Sequence, residues 1–539
     1  FPDPASRFQS EGPDGPSEVV DPRVYRWRDQ QWRGITRRGR IISEIHIGTF
    51  TPEGTFAAAA AKLPLLADAG INTVEVMPVN EYPGRFGWGY DGVDLWAPTR
   101  LYGRPDDFRR LVDVAHAASL GVILDVVYNH LGPDGSFLSK FTPDYFTKKY
   151  KNEWGDALNF DGDHSDGVRE FFIENAACWI DEFHLDGLRL DATQSINDES
   201  GRHVLQDIVE TARAAAGQRS IYVVAENEPQ RVQLLQEYGL DALWNDDWHH
   251  SASVATTGHA EAYYTDYQGK PQEFVSMAKF GFLYQGQRYK WQKGRRGTAS
   301  LDVAADQFIC CLQNHDQVAN SAHGERLQFL TSPGRYRAAT ALLLLGPQTP
   351  MLFQGEEFAS SKRFVYFADH KPDLARAVAK GRREFLAQFP SMATEAMQQQ
   401  VAAPEDPRTF EMCKLEWSER DSHPAALRLH RDLIALRLSD RTFAAHDSGR
   451  LDGAVLAPEA FVLRWILGGG ADRLLVVTLG ADLQLDPAPE PLLAPPADHS
   501  WSILWSSEDA DYGGSGTAPL ETEENWRIPG HAAVVLKPA

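Results

Sequence analysis

Asp191, Glu226 and Asp316 each stand where a short apolar run breaks into polar residues: Gly-Leu-Arg-Leu-Asp191, Tyr-Val-Val-Ala-Glu226 and Ile-Cys-Cys-Leu-Gln-Asn-His-Asp316. Period-two alternation marks such runs as strands. Arg189 and Asp191 therefore share one strand face. A lone Arg-x-Asp is most often a structural ion pair. Three carboxylates in equivalent settings, with His130, His315 and Tyr90 in similar positions, change that balance. No metal triad, no Ser or Cys nucleophile with a partner and no phosphate cradle accompanies them. Carboxylates beside aromatic rings suit sugars. Hydrolysis of a glycoside needs one carboxylate and one carboxylic acid flanking the bond, and a separation of about 5–5.5 Å gives retention through a covalent intermediate. Crowded carboxylates raise each other's proton affinity, which keeps one of them in the acid form.

Eight candidate strands carry these residues: 42–48, 73–78, 122–128, 187–191, 221–226, 242–246, 308–313 and 350–353. Helical patterns at 56–69, 106–119, 167–182, 201–215 and 335–345 fall between them. That alternation predicts a (β/α)8 TIM barrel, in which catalytic groups come from the C-terminal ends of several strands. An open doubly wound sheet would need a Gly-rich phosphate turn after the first strand, and residues 48–54 do not form one. The expected organisation is a leader at 1–40, a catalytic barrel at 41–450 with a small insertion at 131–166, and a C-terminal antiparallel β-sandwich at 451–539. The sandwich is signalled by alternating runs at 461–466, 473–478 and 532–536, joined by Pro/Gly-rich loops.

A net charge of −22 over 539 residues argues against nucleic acid and anionic membranes, which both want a basic face. Cys178, Cys310, Cys311 and Cys413 have no metal-ligand spacing and read as buried, reduced thiols of a cytoplasmic protein. No apolar run reaches the length of a membrane span. A monomer or weak homodimer is expected.

The segments 125–130, 187–191, Glu226 and 314–316 resemble the four signature regions of glycoside hydrolase family 13, the α-amylase superfamily. The likeness runs from Ile42 to about Leu438, plus the sandwich. Within the family, the leader, the stretch Val-Ala-Glu-Asn-Glu-Pro-Gln around Glu226, residues 243–250 and residues 367–374 resemble the maltooligosyltrehalose trehalohydrolases. Those enzymes carry an N-terminal sandwich, and this chain begins at about the point where it would end. The resemblance implies a nucleophile (Asp191), a general acid and base (Glu226) and a third carboxylate gripping sugar hydroxyls (Asp316). It implies that Arg189 aims Asp191, that His130 and His315 donate to hydroxyls, and that Tyr90 forms a stacking floor. The implied reaction cuts the α-1,4 bond joining a maltooligosaccharide to a terminal trehalose, so maltooligosyltrehalose and trehalose are the expected substrate and product. A glycogen or starch branching or debranching enzyme is the alternative. Candidates for selecting trehalose on the leaving-group side are Glu228, Asp247, Trp248, His249, His250 and the stretch 289–296 with Trp291 and Arg295. Many amylases hold calcium near the position of Asn129. The aspartates 144, 156, 161, 163 and 166 have no spacing that fixes such a site, and neither a catalytic metal nor a cofactor is expected.

Overall fold

The computed structural model describes residues 1–445, 448–468, 470–523 and 525–539. Its centre is a closed barrel of eight parallel strands: β1 (Ile42–Ile45), β2 (Thr73–Val76), β3 (Gly121–Val126), β4 (Gly187–Leu190), β5 (Tyr222–Ala225), β6 (Ala242–Trp244), β7 (Phe308–Cys311) and β8 (Thr349–Phe353). Each pairs with its neighbours in sequence, and β8 closes on β1 through Ile42↔Met351. Every strand is buried on both faces. Leu188 and Leu190 of β4 join the core beneath the helices, whereas Arg189 between them turns inward. The eight strands fall where the alternation predicts them, but most stop two or three residues early. The polar residues that follow splay out as loops at the C-terminal mouth rather than continue the ladder.

Helices α1 (Phe56–Asp68), α2 (Pro105–Ala117), α3 (Asp166–Glu182), α4 (Val204–Ala215), α5 (Asp246–Thr257), α6 (Pro271–Phe280), α7 (Pro333–Leu345), α8 (Pro372–Leu386) and α9 (Pro424–Ser439) follow in chain order. Local caps set several starts. Thr55 and Ser332 accept hydrogen bonds from the backbone N–H groups of Ala58 and Arg335, and Asn245 accepts from Trp248. Between β3 and α3 a hairpin, Phe146–Asn152 paired with Gly155–Leu158, rises beside the mouth.

The leader contains no strand or α-helix, and one part of it seals the floor of the barrel. Ile35 joins the interior cluster of Ile42, Ile123, Val224 and Met351, with Trp32 packed against it. The Trp32 indole N–H donates to Asp186 Oδ1 at 2.7 Å, and its ring stacks on His116 at 4.7 Å. His116 in turn lies between Asp29 (2.9 Å) and Asp186 (2.8 Å). Burial works against a charged imidazole, but the two carboxylates overcome it and hold the His116 pKa above its ordinary value.

After α9 come β9 (Leu451–Ala457), β10 (Ala460–Trp465), β11 (Arg473–Thr478), β12 (Leu483–Leu485), β13 (Trp501–Ser506), β14 (Glu521–Thr522), β15 (Asn525–Ile528) and β16 (Ala532–Pro538). They form two antiparallel sheets, ordered β9-β10-β11-β16-β13 and β12-β15-β14. Val462, Leu474, Val476, Trp526, Ile528 and Val534 fill the space between the sheets. The alternate residues face the barrel, where Phe461 stacks on Phe274 of α6 at 5.6 Å.

Gly187 opens β4, the strand that carries Arg189 and leads into Asp191. A Cβ there would lie 1.8 Å from the Tyr222 carbonyl oxygen of β5. Gly187→Ala should therefore destabilise the protein by about 3 kcal/mol, as close overpacking does. Gly167→Ala in α3, where a Cβ meets nothing within 4 Å, should be neutral or stabilising by about 0.5–1 kcal/mol. Urea unfolding midpoints of the two variants check both outcomes.

Candidate active site

Arg189 projects from β4 into the upper barrel, and its side chain is fully buried. Nη1 donates to Asp125 Oδ1 and Oδ2 at 2.9 and 2.8 Å and to Asp191 Oδ1 at 2.6 Å. Nη2 donates to Glu226 Oε2 at 2.9 Å. The guanidinium sits over the Trp244 ring at 4.2 Å. A single cation thus holds three carboxyl groups, supplied by β3, the end of β4 and the end of β5. Asn129, after β3, adds a hydrogen bond to Asp191 Oδ2 at 2.8 Å, and the Ala192 backbone N–H adds one to Glu226 Oε2 at 3.1 Å.

The two end-of-strand carboxyls respond oppositely to burial. For Asp191, desolvation is outweighed by Arg189 and the Asn129 amide, so its pKa lies below the ordinary carboxylate value. For Glu226, desolvation prevails against Arg189, with Asp191, Asp316 and Asp246 adding repulsion, and its pKa rises to about 8. Burial also lifts Asp125, to about 6. At neutral pH the site therefore contains an ionised Asp191 beside a protonated Glu226. These are the two states that cleavage of a glycosidic bond requires.

A chain of polar groups continues from Asp125. Tyr90 donates to Asp125 Oδ2 at 2.6 Å and lies 3.0 Å from His315 Nε2, while His315 Nδ1 is 2.5 Å from Glu44 Oε1 on β1. Desolvation opposes charge on His315, but Asp316 and Glu44 prevail and raise its pKa to about 10. The imidazolium donates from both nitrogens, which leaves the Tyr90 hydroxyl free to donate to Asp125. His315 Nε2 is also 3.4 Å from Asp316 Oδ2. His130 has Nε2 3.0 Å from the Tyr90 carbonyl oxygen, and its ring is stacked by Trp154 from the hairpin tip at 4.8 Å.

Glu226 and Asp316 open onto a cleft of about 600 Å³. Of the residues expected on its leaving-group side, Glu228, His250 and Trp291 line it. Asp247, Trp248, His249 and Arg295 do not. The Asp247 carboxylate accepts from the Tyr267 hydroxyl at 2.6 Å and from the Leu283 and Tyr284 N–H groups at 2.9 and 2.8 Å, which ties down the loop before β7. Trp248 packs in the core beside Phe274. His249 is buried against His250. The reason is helical geometry. Residue 246 opens α5, so Asp246 and His250, one turn apart, face the cleft and the three residues between them turn away. Arg295 donates to the Gly286 carbonyl at 2.7 Å on the exposed side of the hairpin Arg288–Tyr289/Gly294–Arg295. Its neighbour Arg296 is the cleft residue: buried, ion-paired with Glu228 and 3.3 Å from Asp247, with Nη2 carrying no hydrogen bond. Sequence reasoning gave no role to Glu44, Asp246 or Arg382, and included Arg296 only as the last residue of the stretch 289–296. Arg382, on α8, lines the opposite wall with Phe385 and Tyr366.

The residues near Asn129 do not fit a cation. Its side-chain amide is committed to Asp191, and its carbonyl oxygen accepts from Asn152 Nδ2 at 3.0 Å. Asp161, the nearby loop carboxylate, already pairs with the Lys149 ammonium at 2.9 Å. Among the described residues, no three His, Cys, Asp or Glu side chains form a metal-holding group.

The sequence matches the alpha amylase catalytic domain family over residues 26–156 and a domain of unknown function (DUF3459) over residues 448–535. It is 40% identical over 493 residues to a malto-oligosyltrehalose trehalohydrolase of Deinococcus radiodurans, covering 89% of this chain and 79% of the relative. It is also 40% identical over 442 residues to one of Saccharolobus solfataricus, covering 81% and 75%. The chain belongs to the malto-oligosyltrehalose trehalohydrolase family. A crystal structure of a candidate alpha amylase from Salmonella typhimurium, 36% identical, superposes with a TM-score of 0.88 over all of this chain and 88% of its own. This trehalohydrolase-family chain is thus a glycosidase built on the α-amylase barrel.

The reassignment of Trp248 is testable. Trp248→Ala should cost about 3–5 kcal/mol of stability, as for other buried tryptophans. Trp291→Ala, at a hairpin tip and 40% exposed, should stay within about 0.5 kcal/mol of the parent. Chemical denaturation of the two variants distinguishes them.

Proposed function

We propose that the enzyme cleaves the α-1,4 bond between the maltooligosaccharide and the terminal trehalose of maltooligosyltrehalose, with retention, and releases trehalose. The observation that carries the chemistry is the shared guanidinium: Arg189 holds Asp191 and Glu226 within hydrogen-bond reach of one cation while their proton affinities diverge.

In this reading Asp191 Oδ attacks the anomeric carbon as Glu226 protonates the departing glycosidic oxygen. The C–O bond to trehalose breaks and a glycosyl ester forms on Asp191. Glu226, now ionised, takes a proton from water, and the water oxygen displaces Asp191 from the anomeric carbon. The maltooligosaccharide leaves with its original anomeric configuration. Asp316, with His315 beside it, and His130 grip hydroxyls of the ring under attack, and Tyr90 forms its floor. Trehalose is bent and has no reducing end. A cleft selecting it needs hydrogen bonds matched to that shape, because a site built to bond hydroxyls rejects partners that leave its polar groups unpaired. The buried Arg296–Glu228 pair, Asp246 and His250 on one side and Arg382 on the other supply such groups. Trp291, Tyr263 and Phe385 supply ring faces.

Two measurements test the reading. Chromatography of products from maltotriosyltrehalose and from the matching maltooligosaccharide should show trehalose from the first and little change in the second. Rapid cutting of the plain glucan would refute the trehalose specificity, and a longer glucan product would point to branching. The pH profile of kcat/KM should keep its plateau while Glu226 is protonated and fall about tenfold per unit once pH passes about 8, because only the protonated form acts as acid. Glu226→Gln should lose natural substrates but still form the glycosyl ester from an activated glycoside. Equal loss with both would exclude Glu226 as the acid.

A further inference from the structure

Three consecutive residues at the tip of the hairpin Phe146–Asn152/Gly155–Leu158 reach the catalytic mouth. Glu153 lines the cleft, Trp154 stacks on His130, and Asn152 Nδ2 donates to the Asn129 carbonyl oxygen at 3.0 Å. The Asn152 amide is fixed at its other end too, because Oδ1 accepts from the Trp154 backbone N–H at 3.1 Å. That Asx turn sets the tip and presents the amide N–H to the barrel. The carbonyl it meets belongs to a residue only 1% exposed, where an acceptor without a partner is costly.

Asn129 passes that contact on. Its Nδ2 donates to the Asp191 backbone oxygen at 2.9 Å and to Asp191 Oδ2 at 2.8 Å, and its Oδ1 meets His130 Nδ1. One residue after β3 thus receives the hairpin on its backbone and gives its side chain to the carboxylate. The base of the hairpin is anchored separately. The ladder is irregular between Thr147 and Lys151, and the bulge frees Lys149 and Tyr150 to turn to one buried acceptor. Asp161 Oδ2 accepts from Lys149 Nζ at 2.9 Å, from the Tyr150 hydroxyl and from the Glu199 backbone N–H at 2.8 Å. Glu199 lies on the loop that follows Asp191. The hairpin is therefore tied at its tip to the loop after β3 and at its base to the loop after β4.

We propose that the hairpin is a brace for the nucleophile, with Asn152 as a positioning residue that acts on Asp191 through Asn129, and Asp161 as its anchor. The inference rests on Asp191 as nucleophile and not on trehalose as leaving group. Arg189 holds Oδ1 of the attacking carboxylate and Asn129 holds Oδ2, so the carboxylate plane is set from both sides. Without the Asn152 bond the Asn129 backbone is free to shift, and its amide moves with it. A displacement of about 1 Å at a reacting group costs on the order of 100-fold in rate, and a smaller one proportionately less.

The test uses 4-nitrophenyl α-maltoside, whose leaving group needs no protonation, so the acid limb of kcat/KM reports the ionisation of Asp191. Against burial, Arg189 and then Asn129 hold the Asp191 pKa below its ordinary value, and loosening Asn129 moves that pKa, and the limb, upward. Arg189, His130, Asp125, Tyr90 and Glu226 also face Asp191 and are left in place. Asn152→Ala should lower the plateau of kcat/KM about tenfold and move the acid limb up by about half a pH unit. Asn152→Asp, which keeps the acceptor for Trp154 but turns an oxygen to the Asn129 carbonyl, should do at least as much. Joint Lys149→Met and Tyr150→Phe changes, which free the base, should add little to Asn152→Ala, because two ends of one brace couple. An acid limb unmoved in both Asn152 variants overturns the proposal whatever the fall in activity, and so does full additivity with the base variant. If Asp191→Ala still turned over the glycoside, the nucleophile reading would fail. An inactive Asp191→Ala with an unmoved limb in the Asn152 variants defeats the brace alone.

Discussion

A guanidinium cannot lose its proton inside a protein, so the fully buried Arg189 must be surrounded by charge that matches it. That requirement organises the upper barrel. Asp125, Asp191 and Glu226 come from three adjacent strands and meet at two of its nitrogens. One cation cannot balance three buried anions, and the imbalance appears as divided proton affinities. Asp191, also bonded by Asn129, takes the charge, while burial pushes Glu226 and Asp125 upward. The difference in proton affinity between Asp191 and Glu226 is thus a consequence of packing several carboxyls around too little positive charge, not of any special property of either residue.

The same logic extends around the barrel. The Tyr90 hydroxyl donates its hydrogen bond to Asp125 because the charged His315 donates to its lone pair, and His315 stays charged because Glu44 and Asp316 flank it. These groups sit on β1, on the loops after β2 and β7 and at the end of β3. Closure of the barrel, rather than any local motif, brings them within bonding distance. The leader supports that closure from below, where Ile35 and Trp32 pack against the interior cluster and Trp32 bonds Asp186 immediately before β4.

Two excursions at the barrel mouth are tied down by side chains. The hairpin after β3 brings Trp154 onto His130 and is pinned by Asn152 to the Asn129 carbonyl. The stretch before β7 is pinned by Asp247, a residue whose buried carboxylate gathers four donors from Tyr267, Leu283, Tyr284 and Arg296. Asp247 thus acts on the cleft through the loop it holds.

The sequence alone determined the barrel, its strand order and the polar residues at the strand ends, because strands buried on both faces must be apolar and any departure from that rule is visible in one dimension. It also singled out Asp191, Glu226, Asp316, Arg189, Tyr90, His130 and His315, which the fold brings to one mouth. Tertiary structure decided what depended on orientation. Whether residue 246 or 247 faces the cleft follows from where Asn245 caps α5, and whether Arg295 or Arg296 does follows from a two-residue pairing in a short hairpin. A shift of one residue turns a side chain by about 100° on a helix and to the opposite face on a strand, and composition carries no record of that phase. Glu44 and Arg382 were illegible for a different reason. Each reaches its site from a strand or helix distant in sequence, and only the closed barrel sets them beside their neighbours there.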